Sequence, residues 1–177
     1  MNNYPTKLRP VRITRKTMTG AFIVIIFAVF YYNLIFLGPV TERPEELDIV
    51  FSYGYGPGNT LDTRDNTYIS RLTDPKITIE ISMTEEELDK IWKTIQQHHF
   101  YELEPQNPAY AASVQPVQRY TLTVYTQGYS EKTVSMAKLG PQTLSEFRFF
   151  KITNTIQNII ENKPEYKALP EPRGGYA

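Results

Sequence analysis

The sequence predicts an α+β domain, with an antiparallel sheet and its helices on one face, carried behind a single N-terminal transmembrane helix. Three observations predict it. Thr19 to Leu37 is an uncharged apolar run of bilayer length; strand-like alternation dominates the remainder; and two stretches of helical periodicity punctuate those strands. The predicted order is a transmembrane helix, then β-β-β-α-β-β-α.

The first element rests on a charge step. Lys7, Arg9, Arg12, Arg15 and Lys16 precede the apolar run, and Glu42, Glu45, Glu46 and Asp48 follow it. The 19 residues from Thr19 to Leu37 would span roughly 28 Å as a helix, close to the thickness of a hydrocarbon core. Only Asn33 interrupts the run, at a depth where it could meet a partner helix or be hydrated. Basic residues hold the N-terminus in the cytoplasm, so the expectation is a single-pass protein of the cytoplasmic membrane with its C-terminal domain extracytoplasmic. Phe22, Ile25, Ile26, Phe30, Tyr31, Tyr32 and Leu34 are the side chains expected to face lipid. An uncleaved signal anchor is favoured over a cleavable signal peptide, because the run is too long and Gly38-Pro39 offers no small-residue cleavage site.

Composition narrows the function of the chain beyond that segment. All 19 acidic residues lie beyond residue 41, with 14 of the 19 basic ones, leaving that part at net −5. A mildly acidic domain lacks the basic face that a nucleic-acid partner requires. There is no cysteine, which excludes disulfides, thiolate chemistry and lipidation of an N-terminal cysteine. Stability must therefore come from a core, and residues 47–163 suffice for one domain. The expected organisation is a basic stub at 1–18, the anchor at 19–38, a linker at 39–46, the domain at 47–163 and a proline-rich tail at 164–177.

Within the domain, Leu47, Ile49, Phe51 and Tyr53 alternate with polar or smaller neighbours as a first strand. Tyr53 to Asn59 is a glycine-rich connection. A second strand is expected at Thr67 to Leu72 and a third at Lys76 to Met83, where Ile77, Ile79 and Ile81 alternate cleanly. Thr84-Glu85-Glu86-Glu87 is a capping box with Met83 and Leu88 at the staple positions, so a helix should run to about His98. Leu88, Ile91, Trp92, Ile95 and His99 form its apolar stripe, anchored by Trp92.

Glu104 to Gln118 reads as a long loop containing Tyr110, of the kind that binds or moves. Arg119 to Thr126 and Glu131 to Ala137 make a hairpin around Gln127-Gly128-Tyr129. Gly140-Pro141 opens the second helix, which runs to about Asn162 with Pro141 in its first turn. Phe149, Ile152, Ile156, Ile159 and Ile160 share one face of it, leaving Phe147 and Phe150 pointing elsewhere. Either the tail, through Tyr166, Leu169 and Tyr176, or a partner covers those two phenylalanines. The tail itself is too rich in proline to be helical.

Candidate chemistry is sparse. His98-His99 could suggest metal, but adjacent helical residues diverge by about 100° and no second histidine cluster exists, so the helix C-terminus is the better account. Asp62, Asp65, Asn66 and Asp74 gather oxygen ligands in a spacing unlike a calcium loop, and the same residues are ordinary turn formers. The loop Gly54-Tyr55-Gly56-Pro57-Gly58 lacks a phosphate-binding lysine and opens no helix. No nucleophile elbow is present, and the carboxylate pairs sit on solvated positions such as Glu85 to Glu87. No catalytic residue and no cofactor is expected.

Asp62-Thr63, Asn66-Thr67-Tyr68, Asp74 and Ile77 to Ile81, running into Met83-Thr84-x-Glu86-Glu87-Leu88 and on through Ile91, Ile95 and Phe100, resemble a known pattern. It is that of a family of small secreted or membrane-anchored prokaryotic proteins of unknown function. The resemblance covers about 40 residues and implies an extracytoplasmic α+β module without assigning an activity. Relatives of this kind often carry a lipobox cysteine, which this chain lacks.

The expected function is thus a non-catalytic interaction or accessory protein, a subunit of a larger membrane complex. Its partners would be the lipid bilayer, through one helix, and a protein met in the membrane or outside it. Tyr110, Phe147, Phe150, Tyr166 and Tyr176 are the candidate contacts, since aromatic side chains suit interfaces. The alternative is a small-ligand or cation-binding domain built on Asp62, Asp65, Asn66 and Asp74.

Overall fold

The structure, a computed structural model, describes residues 22–28, 31, 39–56, 58–71, 75–106, 116–127, 129–139 and 143–170. The chain divides into two units, Met1–Phe36 and Leu37–Ala177.

The first unit corrects the predicted transmembrane helix. Among the described residues no helix is long and apolar enough to cross a membrane. Residues 22–28 and residue 31 are helical. Phe22, Ile25, Ile26 and Tyr31 are exposed on helix. The remainder of 19–38, with Phe30, Tyr32 and Leu34, lies outside the described residues.

The second unit is an α+β domain on a six-stranded antiparallel sheet. The strands are β1 (Leu47–Tyr55), β2 (Asn59–Asp62), β3 (Thr67–Ser70), β4 (Ile77–Glu80), β5 (Gln118–Thr126) and β6 (Tyr129–Ala137). They lie in the order β4-β3-β2-β1-β5-β6. Helix α1 (Glu85–Gln97) and a 3₁₀ turn (Phe100–Glu102) separate β4 from β5, and α2 (Leu144–Asn162) and α3 (Pro164–Lys167) follow β6.

Period-two alternation builds the core. Across the sheet, Ile79, Tyr68, Leu61, Phe51, Leu122 and Val134 stand opposite one another in register. All but the half-buried Ile79 are fully buried, in one cluster with Ile91, Trp92 and Ile95 of α1 and Phe149, Ile152 and Ile156 of α2. Both helices therefore pack on this face. Burying each such side chain contributes about 1.5–3 kcal/mol.

β2 is the strand that the sequence did not predict. Its four residues, Asn59-Thr60-Leu61-Asp62, carry one apolar side chain and sit between turn formers. Pairing on both edges, with β1 and β3, and burial of Leu61 hold it extended. The turn before it needs glycine: Gly54, Gly56 and Gly58 all have positive φ. A Cβ at Gly58 would stand 2.7 Å from the carbonyl oxygen of Tyr53.

Local capping sets the helices. Thr84 and Glu87 form the expected box on α1. The second helix begins later than Gly140-Pro141 implied: Thr143 is its N-cap, in a capping box with Glu146. The T-x-x-E signal satisfies two orphan amides and outweighs a proline placed for the first turn. Phe150 is a second correction, being 4 % exposed. Tyr120 meets its ring edge-on at 5.4 Å and Phe149 at 5.7 Å, so α2 buries a wider face than one stripe. The tail is a third: Pro164 opens one helical turn, its missing N–H being no loss at that position.

Residues 39–46 are more than a linker. Trp92 Nε1 donates to the carbonyls of Thr41 (3.2 Å) and Glu42 (3.1 Å), and Thr41 donates through N and Oγ1 to Gln96 Oε1. Arg43 pairs with Glu85 and with Asp89, the latter at 2.7 Å. The segment is strapped along α1.

Candidate functional site

The acidic turn after β2 is held together from within. Arg64 chelates Asp62 through Nη2 (2.6 Å) and Nε (3.0 Å) and also donates its backbone N–H. The Arg64 side chain, which holds Asp62 below the usual carboxylate range, also lies 4.7 Å over the Tyr125 ring. Asp65 and Asn66 are exposed, and Asn66 adopts a left-handed φ of 51° while its carbonyl accepts from Ile81 N at 2.8 Å. Asp74 lies outside the described residues. Among the described residues no cluster that could hold a metal ion is found, and the Asp62 carboxylate is engaged by Arg64.

The two histidines part company at the end of α1. His98 is the C-cap, and His99 takes a left-handed φ of 53° and opens the 3₁₀ turn, its Nδ1 3.1 Å from Glu102 Oε1. His99 therefore leaves the apolar stripe expected of it. His98 Nδ1 and His99 Nε2 are buried and have no hydrogen-bond partner among the described residues. Burial, then Lys151, Arg148 and His99, push the His98 pKa down.

Of the expected interaction aromatics, Phe147 is half-buried with Lys151 Nζ 5.3 Å over its ring. Tyr166 is also half-buried and packs edge-on against Tyr68 at 5.5 Å. Tyr110 and Tyr176 lie outside the described residues. Tyr166 belongs to a buried phenol cluster in which Tyr53 and Tyr68 share a 2.9 Å hydrogen bond. Burial raises the pKa of both well above the ordinary phenol value, so each hydroxyl stays neutral and serves packing.

An open groove of about 300 Å³ between α1 and α2 is lined by Glu86, Glu87, Lys90, Asn158, Ile159 and Asn162. Of these, Glu87 accepts through Oε2 from Lys163 Nζ at 2.5 Å. Glu87 also accepts from Thr84 N in the capping box. Its carboxylate is committed to structure.

What composition and motif reading missed is the other face of the sheet. Thr60, Ser52, Thr121 and Ser135 stand in one cross-strand row, and Thr67, Asp62, Val50, Thr123 and Thr133 in the next. Hydroxyls pair across strands at Ser52–Thr60 (3.1 Å), Thr121–Ser135 (2.9 Å) and Thr123–Thr133 (2.9 Å). The signal in the sequence was Thr121-Leu122-Thr123 and Thr133-Val134-Ser135, period-two hydroxyls flanking core residues.

The same face ends at β6. There Gln106 acts as a neighbouring strand would. Its backbone N–H donates to Ser135 O (3.3 Å), its side-chain oxygen accepts from Ala137 N (2.8 Å), and its Nε2 donates to Ala137 O (3.3 Å) and to Glu146 Oε1 (2.6 Å). One side chain thus closes the end of β6 and steadies the first turn of α2. Comparison with protein-family models, curated proteins and solved structures finds no match to this chain.

Proposed function

We propose that this chain is a non-catalytic accessory protein that associates with a membrane complex through its apolar N-terminal segment and presents its α+β domain to a protein partner. The observation that carries the reading is the run Phe22 to Phe27, six consecutive large apolar side chains each 49–68 % exposed. A helix apolar on every side is stable only where something apolar surrounds it. Exposed patches of this kind mark interaction sites. The five basic residues ahead of the segment would add attraction to anionic headgroups. Association of this sort does not depend on a spanning helix. The expected extracytoplasmic position of the domain belongs to the same proposal.

The test is native electrophoresis of the full chain from gently solubilised membranes. Co-migration with a larger assembly is expected, and its loss when Phe22, Ile25 and Ile26 are replaced by serine. Recovery of the unaltered chain as a monomer in the aqueous fraction refutes the reading.

A further inference from the structure

The contacts that hold residues 39–46 on α1 are polar. Thr41 donates to Gln96, the Thr41 and Glu42 carbonyls accept from Trp92 Nε1, and Arg43 donates to Asp89 and Glu85. Those partners stand at positions i, i+4, i+7 and i+11 of one helix stripe, and the segment runs antiparallel along it. Among the described residues the apolar core begins at Leu47, and Val40 is 47 % exposed.

Three features separate this docking from the fold beneath it. The carboxylates that take Arg43 are open to water, the Glu85 side chain being 76 % exposed and that of Asp89 64 %. Ion pairs of that kind are weak and are screened by salt. Pro39 and Pro44 bracket the contact, and a residue before proline avoids the α region, so Arg43 stays extended and the segment cannot join a helix on leaving. The chain is anchored again at Glu46, whose carbonyl accepts from Gln127 N at 3.3 Å just before β1. Thr41 to Arg43 can therefore lift away while the sheet and both long helices keep their packing.

We propose that residues 39–46 are a releasable brace, docked on α1 at low ionic strength and freed by salt, which sets the length of loose chain ahead of the domain. Docked, the chain is fixed from Thr41 onward. Released, its first fixed point is Glu46, and the intervening residues let Thr41 range up to about 17 Å from it. Arg43 decides between the two states, since it holds two carboxylates at once. Release also takes both carbonyls away from the Trp92 indole N–H, the single indole of the chain. The inference concerns contacts within one chain and stands apart from the accessory-protein reading.

The experiment follows hydrogen exchange by NMR in the full chain in mild detergent. It reads the Thr41 amide, the Trp92 indole N–H and, as the measure of an intact sheet, the Leu122 amide of β5. Thr41 and Trp92 are expected to exchange together and at least about a hundredfold faster than Leu122, as local opening requires. Raising salt from about 0.05 to 0.5 M should speed both and leave Leu122 unchanged. Arg43→Gln should do the same by about three- to twentyfold, the effect of losing two exposed ion pairs. Glu85→Gln combined with Asp89→Asn should match Arg43→Gln and add nothing to it. Because the chain has no cysteine, spin labels at Val40→Cys and Lys93→Cys read the separation directly, and a longer population should grow with salt and with Arg43→Gln. Exchange at Thr41 and Trp92 no faster than at Leu122, or one fixed separation that neither salt nor Arg43→Gln alters, overturns the brace. Acceleration of Leu122 along with the other two makes the segment part of the cooperative fold and overturns it as well.

Discussion

Gly56 and Gly58 offer a matched test of how the β1–β2 turn is held. Their φ values are 63° and 62°, so alanine at either place meets the same left-handed backbone penalty of about 1–2 kcal/mol. Both substitutions recover about 0.4–1 kcal/mol by restricting the unfolded chain. The surroundings then separate them. A Cβ at Gly56 has nothing within 4 Å, whereas at Gly58 it stands 2.7 Å from Tyr53 O and 3.0 Å from Tyr53 C. Those atoms belong to β1, which is registered on both sides by β2 and β5, so the overlap is relieved by bending backbone. Bond-angle distortions of 7–15° cost about 1–4 kcal/mol. Gly56→Ala should therefore cost about 0.5–1 kcal/mol and Gly58→Ala about 2–4 kcal/mol. Urea unfolding followed by the fluorescence of Trp92, the single tryptophan, measures both. Equal losses in the two variants would refute the close approach to Tyr53.

Two further outcomes concern the helices, and a third the turn after β2. His98 is held neutral by burial among Lys151, Arg148 and His99, so its folded pKa lies below the unfolded value of about 6.5. Its contribution is present above that value and lost as pH falls through the folded pKa; the urea midpoint should drop between pH 7 and 5, and drop less in His98→Gln. Asp62, lowered mainly by Arg64, acts in a separate window, its stabilisation lost only as pH falls below about 4. Thr143→Ala removes the cap of α2 and should cost about 1 kcal/mol; Thr143→Ser, which keeps the hydroxyl, should be near neutral by thermal melting.

Local signals are legible wherever the physics is local. The alternation of Leu47, Ile49, Phe51 and Tyr53 places β1, and the Thr84 to Glu87 box places the start of α1 to the residue. β2 is not legible, because Asn59-Thr60-Leu61-Asp62 is extended by its neighbours and carries almost no apolar pattern. Phe150 escapes for a related reason. Helical periodicity finds the centre of a buried face, whereas its width depends on what lies opposite, here Tyr120. The transmembrane helix is inferred from the length of an apolar run, and among the described residues no helix is long and apolar enough to cross a membrane. The candidate site divides in the same way. Turn chemistry identifies Asp62 and Asn66 as turn formers, and only the fold shows the Asp62 carboxylate taken by Arg64.

The sequence by itself determined the class of the domain, its antiparallel character, the positions of most strands and both long helices, and a stability resting on apolar burial without disulfides. Those features depend on periodicity, capping and composition, which act over a few residues or over the whole chain. Tertiary structure alone decided the strand order, the docking of residues 39–46 along α1, the hydroxyl rows on the far face and the use of Gln106 as a stand-in strand. Each joins residues far apart in the chain, and a contact of that kind is set by shape and register, which no local pattern encodes.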